Sequence, residues 1–117
     1  MRYEIEKIST TIAKELGIEL EALKTKSRKQ ELKEARHWCM YFCCIERAGT
    51  LNEIGLFFGG RDHSTVINAR RTIQDHIQVE RQSKRIFERL KICLDPVLNT
   101  NNIDPVSMAM LSMASFA

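Results

Sequence analysis

Residues 50–71 read TLNEIGLFFGGRDHSTVINARR, two helical patterns joined by a tight turn. Thr50 followed by Glu53 is a capping box, so a helix is expected to start just after Gly49. Leu51, Ile54, Leu56, Phe57 and Phe58 supply its apolar side. Gly59 and Gly60 stop it, because a residue without Cβ adopts the left-handed geometry that helix ends demand. Asp62 suits the N-cap of the next helix, and Val66, Ala69, Ile73 and Ile77 space out as its buried stripe. His63, Ser64, Thr65, Asn68 and Arg71 fall on the wetter side.

This pattern is the sequence form of a helix-turn-helix, whose second helix enters the DNA major groove N-terminus first. Short hydrogen-bonding side chains in that first turn suit the reading of base edges. A plain helical hairpin fits the same residues, since helix N-termini favour polar side chains anyway.

Charge is distributed unevenly around the hairpin. The chain of 117 residues carries a net charge of only +3, yet its basic residues cluster. Between residues 24 and 36 lie Lys24, Lys26, Arg28, Lys29, Lys33 and Arg36, against Glu31 and Glu34. Arg81, Lys84, Arg85, Arg89 and Lys91 follow the hairpin, whereas Glu4, Glu6, Glu15, Glu19 and Glu21 make the N-terminal segment acidic. Such asymmetry suggests one face for phosphates and another turned away from them.

Length and composition predict one soluble domain with a modest core. No apolar run is long enough to span a membrane, and the charged, amphipathic N-terminus is unlike a signal peptide. Together these point to the cytoplasm. The four cysteines fit a reducing compartment. Cys39 and Cys43 share one helical face, and a zinc site would have to recruit His37 and the distant Cys93. No zinc-ligand spacing appears, so core packing is expected and no metal.

Outward from the hairpin the pattern is helical throughout, giving an all-α, compact helical domain. Residues 2–16 carry Ile5, Ile8, Ile12 and Leu16 on one side, with Gly17 as the stop. Residues 20–23 can add one turn, and the polar, basic residues 25–30 read as a loop. Residues 31–47 form the longest periodic element, with Leu32, Ala35, Trp38, Cys39, Phe42, Cys43 and Ile45 on its core side. Trp38 and Phe42 are expected as core anchors rather than as a base-stacking platform. Helical pattern resumes through Ile86, Phe87, Leu90 and Leu94; the spacing leaves open a bend within residues 78–83.

EIG, then FGGRDHSTV, then Ala69 resemble the C-terminal DNA-binding domain of the bacterial replication initiator DnaA. The resemblance runs from about Ile5 to about Leu94, and implies a Trp-repressor-like arrangement of the hairpin. It also implies roles. Asp62, His63, Ser64 and Thr65 match the tetrad that opens the family's recognition helix in the major groove, with Asn68 one turn further on. Arg28, flanked by Lys26 and Lys29, matches the basic-loop arginine that enters an adjacent minor groove, where A·T-rich sequence enhances negative potential. Arg36 and His37 match residues placed near the DNA backbone, and Leu51 and Asn52 match contacts from the first hairpin helix. Arg61 and Arg71 are expected at phosphates.

Departures from the family pattern leave the reading mode intact but the target sequence open. Ala35 stands in place of a proline, Glu34 in place of a basic residue, and Leu51–Asn52 in place of a leucine–proline pair. Lys29 and Gln30 alter the loop, and Ser64 lacks the methyl of the threonine many relatives carry there.

The expected partner is double-stranded DNA at an asymmetric site, in replication initiation or its regulation, with the protein nucleoid-associated. The same fold would also serve a transcriptional regulator or an interaction adaptor without origin function. No G-x-x-x-x-G-K-[ST] sequence occurs, so no ATP binding by this chain, no cofactor and no catalysis are expected. Met1 suits both a small complete protein and a piece of a larger initiator. Asp95–Pro96 is expected to end the helical domain at residue 94. Residues 95–117 then read as a linker and a Met-rich tail containing Met108, Met110, Leu111, Met113 and Phe116. Either that tail docks on this domain or a protein partner, or it is an irregular terminus; disorder is the expectation.

Overall fold

Isoleucines at positions 5, 8 and 12 give the first helix one apolar stripe, and all three are fully buried. That helix packs against four later ones in a computed structural model that describes residues 2–98. Six helices make up the described residues: α1 (Arg2–Leu16), α2 (Leu20–Leu23), α3 (Gln30–Ile45), α4 (Leu51–Phe57), α5 (His63–Val79) and α6 (Arg81–Leu98). Among these residues there is no strand, and no helix is long and apolar enough to cross a membrane. The Met-rich tail lies outside the described residues.

Helix ends follow local chemistry. Gly17, at φ +72°, closes α1: its N–H donates to the Lys14 carbonyl, and the Ile18 N–H donates to Ala13 at 2.8 Å. These two bonds are the Schellman closure. The end of α3 repeats it with Arg47 in the left-handed position, at φ +53°, and the Ala48 N–H donating to Cys43 at 2.9 Å. Thr50 caps α4 through the expected box: the Glu53 N–H donates to the Thr50 hydroxyl at 3.1 Å, and the Thr50 N–H donates to Glu53 Oε1 at 3.0 Å.

Helix α3 is the central element, in contact with α1, α2, α4 and α5. Its buried face differs from expectation. Arg36 and Met40 are buried along with the expected Ala35, Trp38, Cys39, Phe42 and Cys43, while Leu32 is only partly covered and Ile45 is exposed. The covered face is therefore rotated toward the 36–40–43 line, leaving Ile45 at its edge. In α4, Leu56 is also exposed rather than apolar-side, at 69%. Two residues past Ile54 is a rotation of about 200°, so Leu56 points away from the core that Ile54 enters. Burial pushes the Cys39 and Cys43 thiols up, Cys43 to about 12, as befits protonated core packing groups.

The chain bends once between α5 and α6. Glu80 takes an extended conformation, its N–H donates to His76 at 2.7 Å, and its carboxylate accepts from the Ser83 hydroxyl at 2.8 Å. Helix α6 then returns along α1, burying Leu90 and Leu94 and stacking Phe87 on Phe42 with centroids 5.6 Å apart. Arg89 joins the two helices by donating to the Glu15 carboxylate and to its carbonyl. Asp95–Pro96 does not end α6, which continues to Leu98. A proline in the last turn removes only one intrahelical donor and is tolerated there.

Thr50→Ala is expected to cost about 1 kcal/mol of folding stability, read by urea denaturation. The Thr50 N–H holds the Glu53 carboxyl below its ordinary value of 4.5, and the bond from Arg89 does the same for Glu15. Both groups favour the folded state while ionised, so their contribution is complete above pH 4.5 and fades as pH falls through the lowered folded values. Denaturation midpoints measured from pH 7 downward should fall in that acid window. The fall should be shallower in Glu53→Gln, which removes the ionising group that accepts from the Thr50 N–H, and an unchanged slope would contradict its role in the cap.

Candidate nucleic-acid interface

The turn between α4 and α5 is built by close backbone approach. The Arg61 N–H donates to the Gly55 carbonyl at 2.8 Å, and a Cβ on Gly55 would lie 2.1 Å from the Arg61 oxygen. Gly59, at φ +92°, leaves no room either: its Cβ would meet the Lys24 carbonyl oxygen at 2.4 Å. The Arg61 side chain then ties the turn to the basic loop. Its Nε donates to Phe58 and its terminal nitrogen donates to Thr25, both at 3.0 Å. Lys24 adds a cation over the Phe57 ring, 4.6 Å from the centroid.

Helix α5 leaves this turn with its polar first turn uncovered. Asp62 is the N-cap, although its carboxylate accepts from the adjacent His63 N–H at 2.9 Å rather than from deeper in the helix. His63 Nδ1 lies 3.0 Å from the same oxygen. The Ser64 hydroxyl, with the His63 contacts, holds the Asp62 carboxyl below its ordinary value, so it is an acceptor only at neutral pH. His63, Ser64, Asn68 and Arg71 are exposed and Thr65 is partly covered, while Val66, Ala69 and Ile73 are buried and Ile77 is half-buried. Of the residues expected in the major groove, Asp62, His63, Ser64 and Asn68 are thus open to solvent and Thr65 is partly covered.

Leu51 and Asn52, from α4, border a shallow hollow with His63. Leu51 also borders a second hollow with Ile67, Arg70, Arg71 and Gln74. Ile67, Arg70 and Gln74 were not among the expected site residues. The signal for Ile67 was present, since it falls outside the 66–69–73 stripe and is exposed at 37%.

The loop before α3 is held by its own hydroxyls. The Thr25 hydroxyl donates to Ala22 at 2.7 Å, and the Lys29 N–H donates to the Ser27 hydroxyl at 3.3 Å. Lys26, Arg28 and Lys29 project from it, exposed. Lys26, Arg28, Lys33, Arg36, His37 and Arg61 line one open basic hollow of about 620 Å³, with Thr65 at its rim. This hollow joins the loop to the start of α5.

Two residues expected at the DNA backbone, Arg36 and His37, line this hollow but are partly or wholly covered. Arg36 is 5% exposed, donates to the Ser27 carbonyl at 2.7 Å, and keeps its Nε buried without a hydrogen-bond partner. Burial first, then the charge of Arg61, lowers its pKa, although an arginine stays charged regardless. His37 is half-buried; burial, helped by Lys33 and Arg36, pushes its pKa down and keeps the imidazole neutral near pH 7. Farther off, Arg81, Lys84, Arg85 and Lys91 are exposed on α6, whereas Arg89 is engaged by Glu15.

With this geometry in place, the sequence pattern of the bacterial dnaA protein helix-turn-helix matches residues 5–73. The chain belongs to the bacterial DnaA helix-turn-helix family. Its relatives include the chromosomal replication initiator proteins DnaA of Mesoplasma florum, 41% identical over 87 residues, and Mycoplasma capricolum, 38% identical over 87 residues. The corresponding initiator of Chlorobaculum tepidum is 37% identical over 87 residues. These matches cover 74% of this chain but only 18–20% of each DnaA relative, so the chain spans about a fifth of their length. Every candidate interface residue from Lys26 to Arg71 falls inside the DnaA-family match.

Gly59 and Gly60 separate strain from collision. Gly60→Ala, with φ +73° but open space, should cost about 1–2 kcal/mol of stability. Gly59→Ala adds overlap with the Lys24 carbonyl, so it should cost roughly 1–3 kcal/mol more. Urea denaturation of the two variants checks the order, and equal costs would mean the turn does not rest on the loop.

Proposed function

We propose that this DnaA-family domain binds double-stranded DNA at one asymmetric site, with α5 in the major groove and Arg28 in an adjacent minor groove. The observation that carries the reading is the outward surface of Asp62, His63, Ser64, Thr65 and Asn68, joined through one basic hollow to the loop bearing Arg28. An ionised Asp62 accepts from an exposed base amino group, and His63, Ser64 and Asn68 supply short donors and acceptors to base edges. Arg28, exposed and with Lys26 and Lys29 beside it, suits a narrow groove of negative potential.

Phosphate contacts fix the register of such a reader. Arg71 on the outer face of α5, Leu51 and Asn52 at the start of α4, and the neutral His37 at the hollow are assigned to them. Lys26, Lys29 and the remaining donors of Arg61 add positive charge along the same path. A role in replication initiation or its regulation, at the nucleoid, is part of this proposal, and the relatives' being chromosomal replication initiators supports it. No catalysis by this domain is proposed.

Selection from random duplex DNA at about 0.15 M salt, with sequencing of the bound fraction, tests this reading. An asymmetric motif with an A·T-rich arm is expected. His63→Ala and Arg28→Ala should each cost about 1–3 kcal/mol, with relaxed preference at different positions of the motif. Arg71→Ala should instead weaken all sequences alike and lower the salt slope by about 1. No enriched motif, or unchanged discrimination in both base-reading variants, would overturn the proposal.

A further inference from the structure

We propose that Arg36 and Arg61 are positioning residues, which fasten the loop carrying Arg28 to the turn that launches α5 and so hold the two groove-reading elements at one spacing. The inference rests on the DNA-binding reading above and goes beyond it. It gives both arginines a task inside the protein, apart from any phosphate contact.

The loop carbonyls show how the fastening is made. Lys24 presents its oxygen to Gly59, where no side chain could fit. The Thr25 oxygen accepts from Arg61 at 3.0 Å, and the Ser27 oxygen accepts from Arg36 at 2.7 Å. Arg61 simultaneously donates to Phe58, so one guanidinium spans the end of α4 and a loop 36 residues earlier in sequence. Arg36 grips from the other side, from within the buried face of α3, immediately before Arg28.

Neither grip extends to Arg28 itself, whose side chain has no hydrogen bond or ion pair among the described residues. The backbone under Arg28 is anchored while its guanidinium is left available. A polar loop of this kind would otherwise lose conformational freedom on meeting DNA. Fixing its backbone beforehand leaves less to lose at binding, which is preorganisation. Arg36 has little left for a direct phosphate contact, because its Nε is shielded from solvent and its Nη2 donates to Ser27, leaving only Nη1 toward the hollow.

A double-mutant cycle separates positioning from contact. Arg36→Met, Arg28→Ala and the double variant are titrated with the selected duplex at several salt concentrations, alongside thermal unfolding. Arg36→Met should weaken binding about tenfold when Arg28 is present and less than about twofold when Arg28 is already alanine. In the Arg28→Ala background it should leave the salt slope unchanged. Amide hydrogen exchange at Ser27 and Lys29 should accelerate in Arg36→Met. Equal losses in both backgrounds, through a phosphate contact that lowers the slope by about 1 or through general loosening, overturn the proposal. Arg36→Gln, which leaves a polar group at the shielded position, carries the same cycle should Arg36→Met fail to fold. Absence of any site preference in the unmodified protein would defeat the DNA-binding reading itself, a result distinct from a failed cycle.

Discussion

The space that a Cβ on Gly55 would need is occupied by the Arg61 carbonyl, 2.1 Å away. That approach lets the Arg61 N–H reach the Gly55 carbonyl and brings α5 out of the turn at a set angle to α4. Gly59 repeats the device against Lys24, so the turn closes on its own helix and on the basic loop together. Arg61 can bridge Phe58 and Thr25 only because both approaches have been made. Helix, turn and loop form one unit, and the polar first turn of α5 is displayed from its edge.

The remainder of the fold backs this unit. Helix α3 contributes buried Trp38, Met40 and Phe42 behind the hairpin, and its N-terminal half holds the loop through Arg36. Helices α1 and α6 close the far side, joined by Arg89 and Glu15 and by Leu90 and Leu94 in the core. Arg81, Lys84, Arg85 and Lys91 of α6 are exposed, and Arg89, also exposed, is paired with Glu15. The basic character legible in composition is thus divided between an outward surface and internal joints.

Local signals in the sequence carried most of the architecture. The isoleucine spacing marked α1, Gly17 its end, and Thr50 with Glu53 the start of α4. The exposed set on α5 was legible because Val66, Ala69 and Ile73 left a clear opposite face. What was not legible depends on tertiary neighbours. Periodicity marks a helix face but not how far a partner covers it, so Ile45 and Leu56 came out exposed and Arg36 buried. The bonds from Arg61 to Thr25 and from Arg36 to Ser27 join segments distant in sequence, and no local pattern announces them. Pro96 read as a stop because proline breaks helix interiors, yet it sits where only a short stretch of helix remains.

The central claim is that one rigid unit reads two grooves of a duplex at once. Dimethyl sulfate probing of the bound selected duplex tests it most directly, because the reagent reports guanine N7 in the major groove and adenine N3 in the minor groove. The account predicts protection of major-groove positions in one segment and of minor-groove adenines in a neighbouring segment, displaced by roughly half a helical turn, ~5 base pairs. Protection confined to a single groove, or spread without position along the duplex, would contradict it.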